Sequence, residues 1–278
     1  MKDVQNTADT RGIAIDQVGI TNLRYPITVK CRGGKPTATV ADISMSVDLP
    51  HHFKGTHMSR FLEVLAKHKG DITLRSLPPI LLELKQRLDA ESANMELSFP
   101  HFIEKAAPIS RARAKVCCQC TFSISCNGGK DDVSLRVEVP VTTLCPCSKE
   151  ISDYGAHNQR GHVTIAVRPA MTRDGWAWVW IEELVEIAEK SASAPVYALL
   201  KRPDERHVTM QAHDNPVFVE DLVRNVALYL KEDSRIASFD VRAVNQESIH
   251  AHDAFARVVW KRESKPIPQR RRRRHQLA

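Results

Sequence analysis

Residues capable of chemistry concentrate first in one short block. Leu144-Cys145-Pro146-Cys147-Ser148-Lys149-Glu150 closes a β-rich run, and Tyr154-Gly155-Ala156-His157-Asn158-Gln159-Arg160-Gly161 follows it. A thiolate and a neutral imidazole both ligate zinc and other divalent transition metals, and the intervening turn is long enough to fold His157 back toward Cys145. Cysteines one residue apart lack the two-residue spacing of structural zinc knuckles, and no second pair at that spacing exists to complete a four-thiolate site. The block therefore fits an open catalytic site better than a closed structural one. Two small apolar residues at a strand end would give the same pattern.

A second group lies near the C-terminus, in Glu247-Ser248-Ile249-His250-Ala251-His252-Asp253. On a continuing strand His250 and His252 point the same way, whereas on a helical turn Glu247 and His250 are neighbours. Either geometry clusters a carboxylate with an imidazole, a pair that passes protons near neutral pH or holds a water in place. A polar loop is the plainer reading. Glu205 sits in the charged stretch Lys201-Arg202-Pro203-Asp204-Glu205-Arg206-His207, which reads as a solvated connector. Glu220 precedes Asp221 at a helix start, where acids favour the helix dipole, yet a carboxylate there also accepts both the N1 and N2 hydrogens of a guanine edge. Lys54, Arg60, Lys149, Arg160, Lys201 and Arg202 neighbour these motifs and offer cations for a triphosphate, although none is diagnostic among 40 Lys and Arg. The chain has no Gly-rich loop ending in Lys-Ser/Thr, so that phosphate-binding device is excluded.

The remaining cysteines read as structural. Cys118, Cys120, Phe122, Ile124 and Cys126 recur at every second position and share the buried face of one strand, with Cys117 on the other face. Cys31 shows no polar companion in its surroundings. The elements that must position the reactive groups follow from periodicity. Strands are expected at 24–31 and 37–49, helices at 58–68 (stripe Phe61, Leu62, Leu65) and 78–90 (stripe Leu81, Leu84, Leu88), then strands at 94–103 and 114–127. The order repeats from Val133: strands at 133–143 and 162–168, helices at 181–191 and 216–231, strands at 239–245 and 255–260. The last helix is expected to be capped by Asn215, to start at Pro216, and to bury Val219, Leu222, Val223, Val226 and Leu230.

The chain thus reads strand-strand-helix-helix-strand-strand twice, an α+β architecture with antiparallel sheets and helices layered on one face. Its halves are residues 21–128 and 129–264, flanked by an N-terminal segment 1–20 and a basic tail 265–278. Such sheets leave edges that oligomerisation would close, so a homo-oligomer is expected. With 278 residues, 42% of them hydrophobic, the chain can bury a large core without staples. Seven cysteines and no secretory stretch argue for reduced thiols and a cytoplasmic protein, and no apolar run reaches membrane-span length. The net charge of +7 comes largely from the arginine run 270–274, which makes a basic nucleic-acid-binding face improbable and the tail disordered.

Taken together these segments resemble the GTP cyclohydrolase type IB family. The resemblance is carried by Val18-Gly19, Tyr25-Pro26-Ile27, Met45-Ser46-Val47, Lys54-Gly55-Thr56-His57-Met58-Ser59-Arg60-Phe61, the block 145–161, Leu200-Lys201-Arg202-Pro203-Asp204-Glu205, Asn215-Pro216-Val217-Phe218-Val219-Glu220-Asp221 and Glu247-Ser248-Ile249-His250-Ala251-His252-Asp253. It implies a tunnelling fold of two ββααββ pseudo-repeats, assembled as a homotetramer with active sites at subunit interfaces. It implies one divalent metal per site, zinc, manganese or iron, held by Cys145, His157 and Glu205. Glu220 would anchor the guanine edge, with Lys201, Arg202, Arg60 and Lys149 toward the phosphates. Cys145, Glu247, His250 and His252 would serve catalysis, and Cys147 matches the second cysteine of the family motif. The implied reaction converts GTP to 7,8-dihydroneopterin triphosphate and formate by metal-assisted attack of water at guanine C8, the first step of folate and pterin synthesis, with no organic cofactor. Two alternatives stand beside it. One is a same-fold nitrile reductase acting on a deazaguanine through a thioimide and a nicotinamide cofactor. The other is a nucleic-acid-binding protein working through the arginine tail.

Overall fold

The alternation that defines the strands runs longer than the sequence pattern shows. In the computed structural model, which describes residue 5 and residues 7–33, 35–68, 71–73, 75–128 and 130–263, the first half is built from β1 (Ile15–Val29), β2 (Thr37–Leu49), α1 (Met58–Lys67), a short β3 (Asp71–Ile72), α2 (Leu77–Leu88), β4 (Ser92–Ala106) and β5 (Arg113–Asn127). The second half comprises β6 (Lys130–Leu144), α3 (Pro146–Ile151), β7 (Asn158–Pro169), the small hairpin β8 (Met171–Thr172) and β9 (Gly175–Trp176), α4 (Ile181–Ser191), β10 (Ala194–Pro195), α5 (Arg202–Asp214), α6 (Val219–Glu232), β11 (Ile236–Gln246) and β12 (Ala254–Lys261). The arginine run 270–274 lies outside the described residues.

One ten-stranded sheet results, with order β12-β11-β7-β6-β5-β4-β2-β1-β3 and β10 paired to β6. The long strands pair antiparallel throughout; only the short β3 runs parallel to its neighbour β1. The order β1-β2-β4-β5 of the first half recurs as β6-β7-β11-β12 in the second, so two ββααββ units lie side by side, joined where β5 turns into β6 at Gly128 (φ +55°). The fold is α+β, with the sheet open rather than closed into a barrel.

One face of the sheet is apolar and carries the helices. Ile43, Met45, Leu97, Phe99, Cys118, Cys120, Val137, Val139, Ile165 and Val241 alternate inward along their strands and pack with Phe61, Val64 and Leu65 of α1, Leu77, Ile80, Leu81 and Leu84 of α2, Leu184 and Ala188 of α4, and Leu222, Val226 and Leu230 of α6. Burial drives the Cys118 thiol up to about 12, in keeping with a packing role. The opposite face is polar: Gln17, Thr21, Ser44, Ser46, Asn94, Ser123, Ser125, Ser134, Arg136 and Arg168 border an open groove of about 670 Å³.

Three expectations are corrected. Leu62 is 45% exposed, and Val64 takes its place in the buried stripe of α1. The charged stretch expected as a connector is the first half of helix α5, which escapes periodicity because only Asp204 and Ala212 are buried on it. Asn215 does not cap α6: it ends α5, and its side-chain amide donates to Ala192 O at 2.9 Å. Residue 215 precedes proline, which disfavours helical backbone, and α6 begins only at Val219, after Val217 N–H bonds Leu144 O at 3.1 Å. That bond draws the start of α6 against the end of β6. Among the described residues no helix is long and apolar enough to cross a membrane.

Candidate active site

Strand register brings the reactive block together. Leu144 pairs with Asn158 and Thr143 with Gln159, so Cys145 and His157 meet where β6 and β7 part. Cys145 N–H donates to His157 O at 3.2 Å, and Ser148 fixes the loop between them: its hydroxyl donates to Cys145 O and accepts from His157 N–H, both at 3.2 Å. Pro146, which has no N–H to leave unpaired, suits the first position of α3, and Cys145 Sγ, as the cap, accepts from Ser148 N–H at 3.5 Å. On the far side β11 pairs with β7 up to Gln246–Arg160, which delivers the following loop to the same place. There Glu247 Oε2 lies 4.0 Å from His157 Nδ1, and the His250 and His252 rings stack with centroids 5.2 Å apart.

The outcome is a cavity of about 290 Å³ lined by Cys145, His157, Gln159, Phe218, Glu220, Asn245, Glu247, His250 and His252, among others. Its volume is at the small end for ligand pockets, about 300–1,000 Å³, enough for a base but not for a whole nucleoside triphosphate. His157 Nδ1 contacts Gln159 Oε1 at 2.9 Å and Ser248 Oγ at 3.3 Å, so a ligand to this ring would be met by Nε2. Asn245 is buried on the cavity wall, and its Oδ1 has no hydrogen-bond partner among the described residues. A buried carbonyl without a partner is expected beside a ligand or water rather than inside a dry core.

Thus Cys145, His157, Glu220, Glu247, His250 and His252 share one cavity, although the loop 247–253 is neither the strand nor the helical turn considered from sequence. The other candidates lie elsewhere. Glu205, Lys201 and Arg202 are exposed at the start of α5 and outside that lining. Lys149 Nζ donates to His213 O. Arg60 donates to Arg87 O at 2.6 Å and borders a separate cavity with Thr56, His57 and Asp89. Cys147 is exposed.

Sequence reasoning passed over several residues that shape this site. Gln159 and Asn245 are strand residues whose polarity on an inward face was the available signal. Asp204 is fully buried at the third position of α5, where its carboxylate accepts from Ile109 N–H, Ser110 N–H and Lys201 N–H, each at 2.8 Å, and from Ser110 Oγ at 2.6 Å. Burial alone would raise its pKa, but these hydrogen bonds prevail and hold the carboxyl well below the usual carboxylate range. This anchor fixes where α5 starts, and with it the position of Glu205.

The molecule also holds a group with the donors and spacing for a metal ion: one ligand atom each from Cys31, His101 and Glu182, all within 4.8 Å of one another. It is distinct from the Cys145 cavity.

Comparison with known proteins shows the family and the fold. The family model for type I GTP cyclohydrolase folE2 matches residues 1–256. The chain is 50% identical over 258 residues to GTP cyclohydrolase FolE2 of Nitrosococcus oceani, covering 93% of this chain and 94% of that one. It is 53% identical over 256 residues to FolE2 of Magnetococcus marinus, covering 92% and 94%. Among solved structures, the uricase of Arthrobacter globiformis superposes with a TM-score of 0.55 at 10% identity, covering 91% of this chain and 95% of that one, and urate oxidase of Bacillus subtilis with 0.51 at 10%, covering 88% and 98%. At that identity the likeness shows the fold alone, the tunnelling fold. On the family match and the near full-length identity to its relatives, the chain belongs to the type I GTP cyclohydrolase FolE2 family.

Proposed function

We propose that this protein hydrolyses GTP to 7,8-dihydroneopterin triphosphate and formate, in the cytoplasm, as the first step of folate and pterin synthesis. The observation that carries the reading is the convergence of Cys145, His157, Glu220, Glu247, His250 and His252 on one base-sized cavity in a chain of this family. Glu220, in the first turn of α6, accepts the N1 and N2 hydrogens of guanine, a pairing that only a carboxylate offers in full. Phe218 adds an apolar face beside it.

Cys145 and His157 are the soft donors of the cavity and suit zinc, manganese or iron, with Glu205 as the third ligand by family resemblance. When bound, such an ion supplies the acidity that makes hydroxide available near neutral pH for attack at C8. Gln159 orients the His157 ring through Nδ1. Glu247 and His250 accept and return protons as the imidazole ring of guanine opens to a formamide and as a second hydrolysis releases formate. His252, stacked on His250, keeps that ring in place. Rearrangement of the ribose then closes the pterin, again by proton transfer.

The phosphates must extend beyond a cavity of this size. Arg60 and Lys54 lie too far along the chain's other half to border it, so we place their contribution across an interface between copies, in a homotetramer. The open edge of the sheet supports this. Among the described residues β12 pairs on one side only, and Phe255 and Val259 are exposed there at 65% and 63%. Purified protein incubated with GTP and zinc, manganese or ferrous iron should release formate and a fluorescent oxidised pterin, and light scattering should give a tetramer. Reduction of a deazaguanine nitrile by a nicotinamide cofactor, with no formate from GTP, would favour the reductase instead.

A further inference from the structure

Cys31, His101 and Glu182 come from three separate elements. Cys31 follows β1, His101 lies on β4, and Glu182 is in the first turn of α4. Two belong to the first repeat and one to the second. His101 is 1% exposed, and its Nδ1 has no hydrogen-bond partner among the described residues. Its Nε2 faces Glu182 Oε1 at 3.7 Å, too long for a hydrogen bond. Glu182 Oε1 accepts from Arg32 N–H at 3.1 Å, while Oε2 is buried without a hydrogen-bond partner among the described residues. Cys31 Sγ contacts Thr37 Oγ1 at 3.2 Å and is half-buried. One ligand atom of each of the three residues thus lies within 4.8 Å of the others, and the imidazole and the carboxylate each keep a buried polar atom with no hydrogen-bond partner among the described residues, which apolar packing does not explain.

We propose that Cys31, His101 and Glu182 form a second metal site, which takes one divalent transition ion of the zinc class and fastens helix α4 of the second repeat to the sheet of the first. A thiolate, an imidazole and a carboxylate match zinc's preferred donors. Tetrahedral bonds of about 2.0–2.3 Å put donors about 3.3–3.8 Å apart, so ligand atoms within 4.8 Å need to close by only about 1 Å. Cys31 is half-buried beside the turn between β1 and β2, outside the regular strands. Water or Thr37 Oγ1 fills the fourth position. The competing reading is a plain His101–Glu182 ion pair with Cys31 as a bystander, and it predicts no ion.

Metal content decides between them, independently of turnover. The full-length protein, stripped and then loaded with Co(II), should hold two equivalents per chain, and Cys31→Ser one, with formate release from GTP unchanged. In Cys145→Ala the remaining equivalent should show a sulfur-to-cobalt charge-transfer band and raise the thermal midpoint, and adding Cys31→Ser should remove both. Glu182→Gln should weaken cobalt binding at this site at least tenfold in an otherwise folded protein. Equal cobalt content in the wild type and Cys31→Ser would overturn the proposal, as would a band in Cys145→Ala that survives loss of Cys31.

Discussion

The two constellations of thiol, imidazole and carboxylate differ in how the chain assembles them. Around Cys145 the thiol and imidazole come from one hairpin, at the parting ends of β6 and β7, and one loop hydroxyl, that of Ser148, holds both. Around Cys31 the donors come from a turn, a central strand and a helix start, across both repeats. The first cavity is open and carries further titratable groups; the second group centres on a fully buried histidine with a partly buried thiol and carboxylate beside it. An open site with spare ligand positions suits chemistry on a substrate, and donors drawn from separate elements suit joining parts of a fold. The prediction is that damage to the first costs turnover and damage to the second costs metal and stability.

Cys145→Ala should produce the largest effect, loss of formate release to background, while Cys31→Ser stays within about twofold of wild type in a GTP assay. Equal losses from both would erase the distinction. Next, His250→Ala should lower kcat about 10²–10⁴-fold, the usual weight of a proton-transfer group, with metal content unchanged by elemental analysis. Glu205→Gln and Glu247→Gln divide the carboxylate roles: the first should lose the catalytic ion, and the second should keep it but lose turnover. The reverse result would make Glu247, already 4.0 Å from His157, the third ligand. Smaller effects follow at the supports. Glu220→Gln should cost about tenfold to a hundredfold in kcat/KM, the worth of one charge-assisted hydrogen bond. Gln159→Ala should weaken metal binding about 10–100-fold by releasing the His157 ring.

Asp204 gives a pH test of the scaffold around the first site. Its pKa is lower in the folded protein than in the unfolded chain, so the stability it contributes is complete above an unfolded value of about 4 and disappears as pH falls through the folded value. Asp204→Asn should therefore lower the urea midpoint at neutral pH and leave the most acidic midpoints close to those of wild type. A constant difference at every pH would show that the carboxylate's charge does not matter.

Much of this was legible in the sequence, for physical reasons that mark the limits too. Alternation in β5 placed Cys118, Cys120 and Cys126 inside and Cys117 outside, because each residue of a strand has only two faces. The order of elements was readable because amphipathic stripes on α4 and α6 are strong. Helix α5 was not, since a helix held mainly by one buried carboxylate and exposed elsewhere carries no stripe. The cap of α6 was misplaced because Asn215 satisfies carbonyls at the end of α4 instead. Cys145 and His157 were found because few residues separate them, and Cys31, which showed no companion in its local sequence, has His101 and Glu182 beside it through register and packing alone. Local chemistry is visible in a string of residues; chemistry closed by tertiary contacts requires the fold.

In the proposed reaction, GTP hydrolysis depends on an ion held by Cys145 and His157. The decisive measurement is formate and pterin formation from GTP by metal-stripped protein, reloaded with zinc, manganese or ferrous iron, beside Cys145→Ala treated in the same way. Turnover that returns with metal in the wild type and never in the variant is the predicted result. A folded tetramer that releases no formate with any of these metals, or a Cys145→Ala protein that turns over normally, would contradict it.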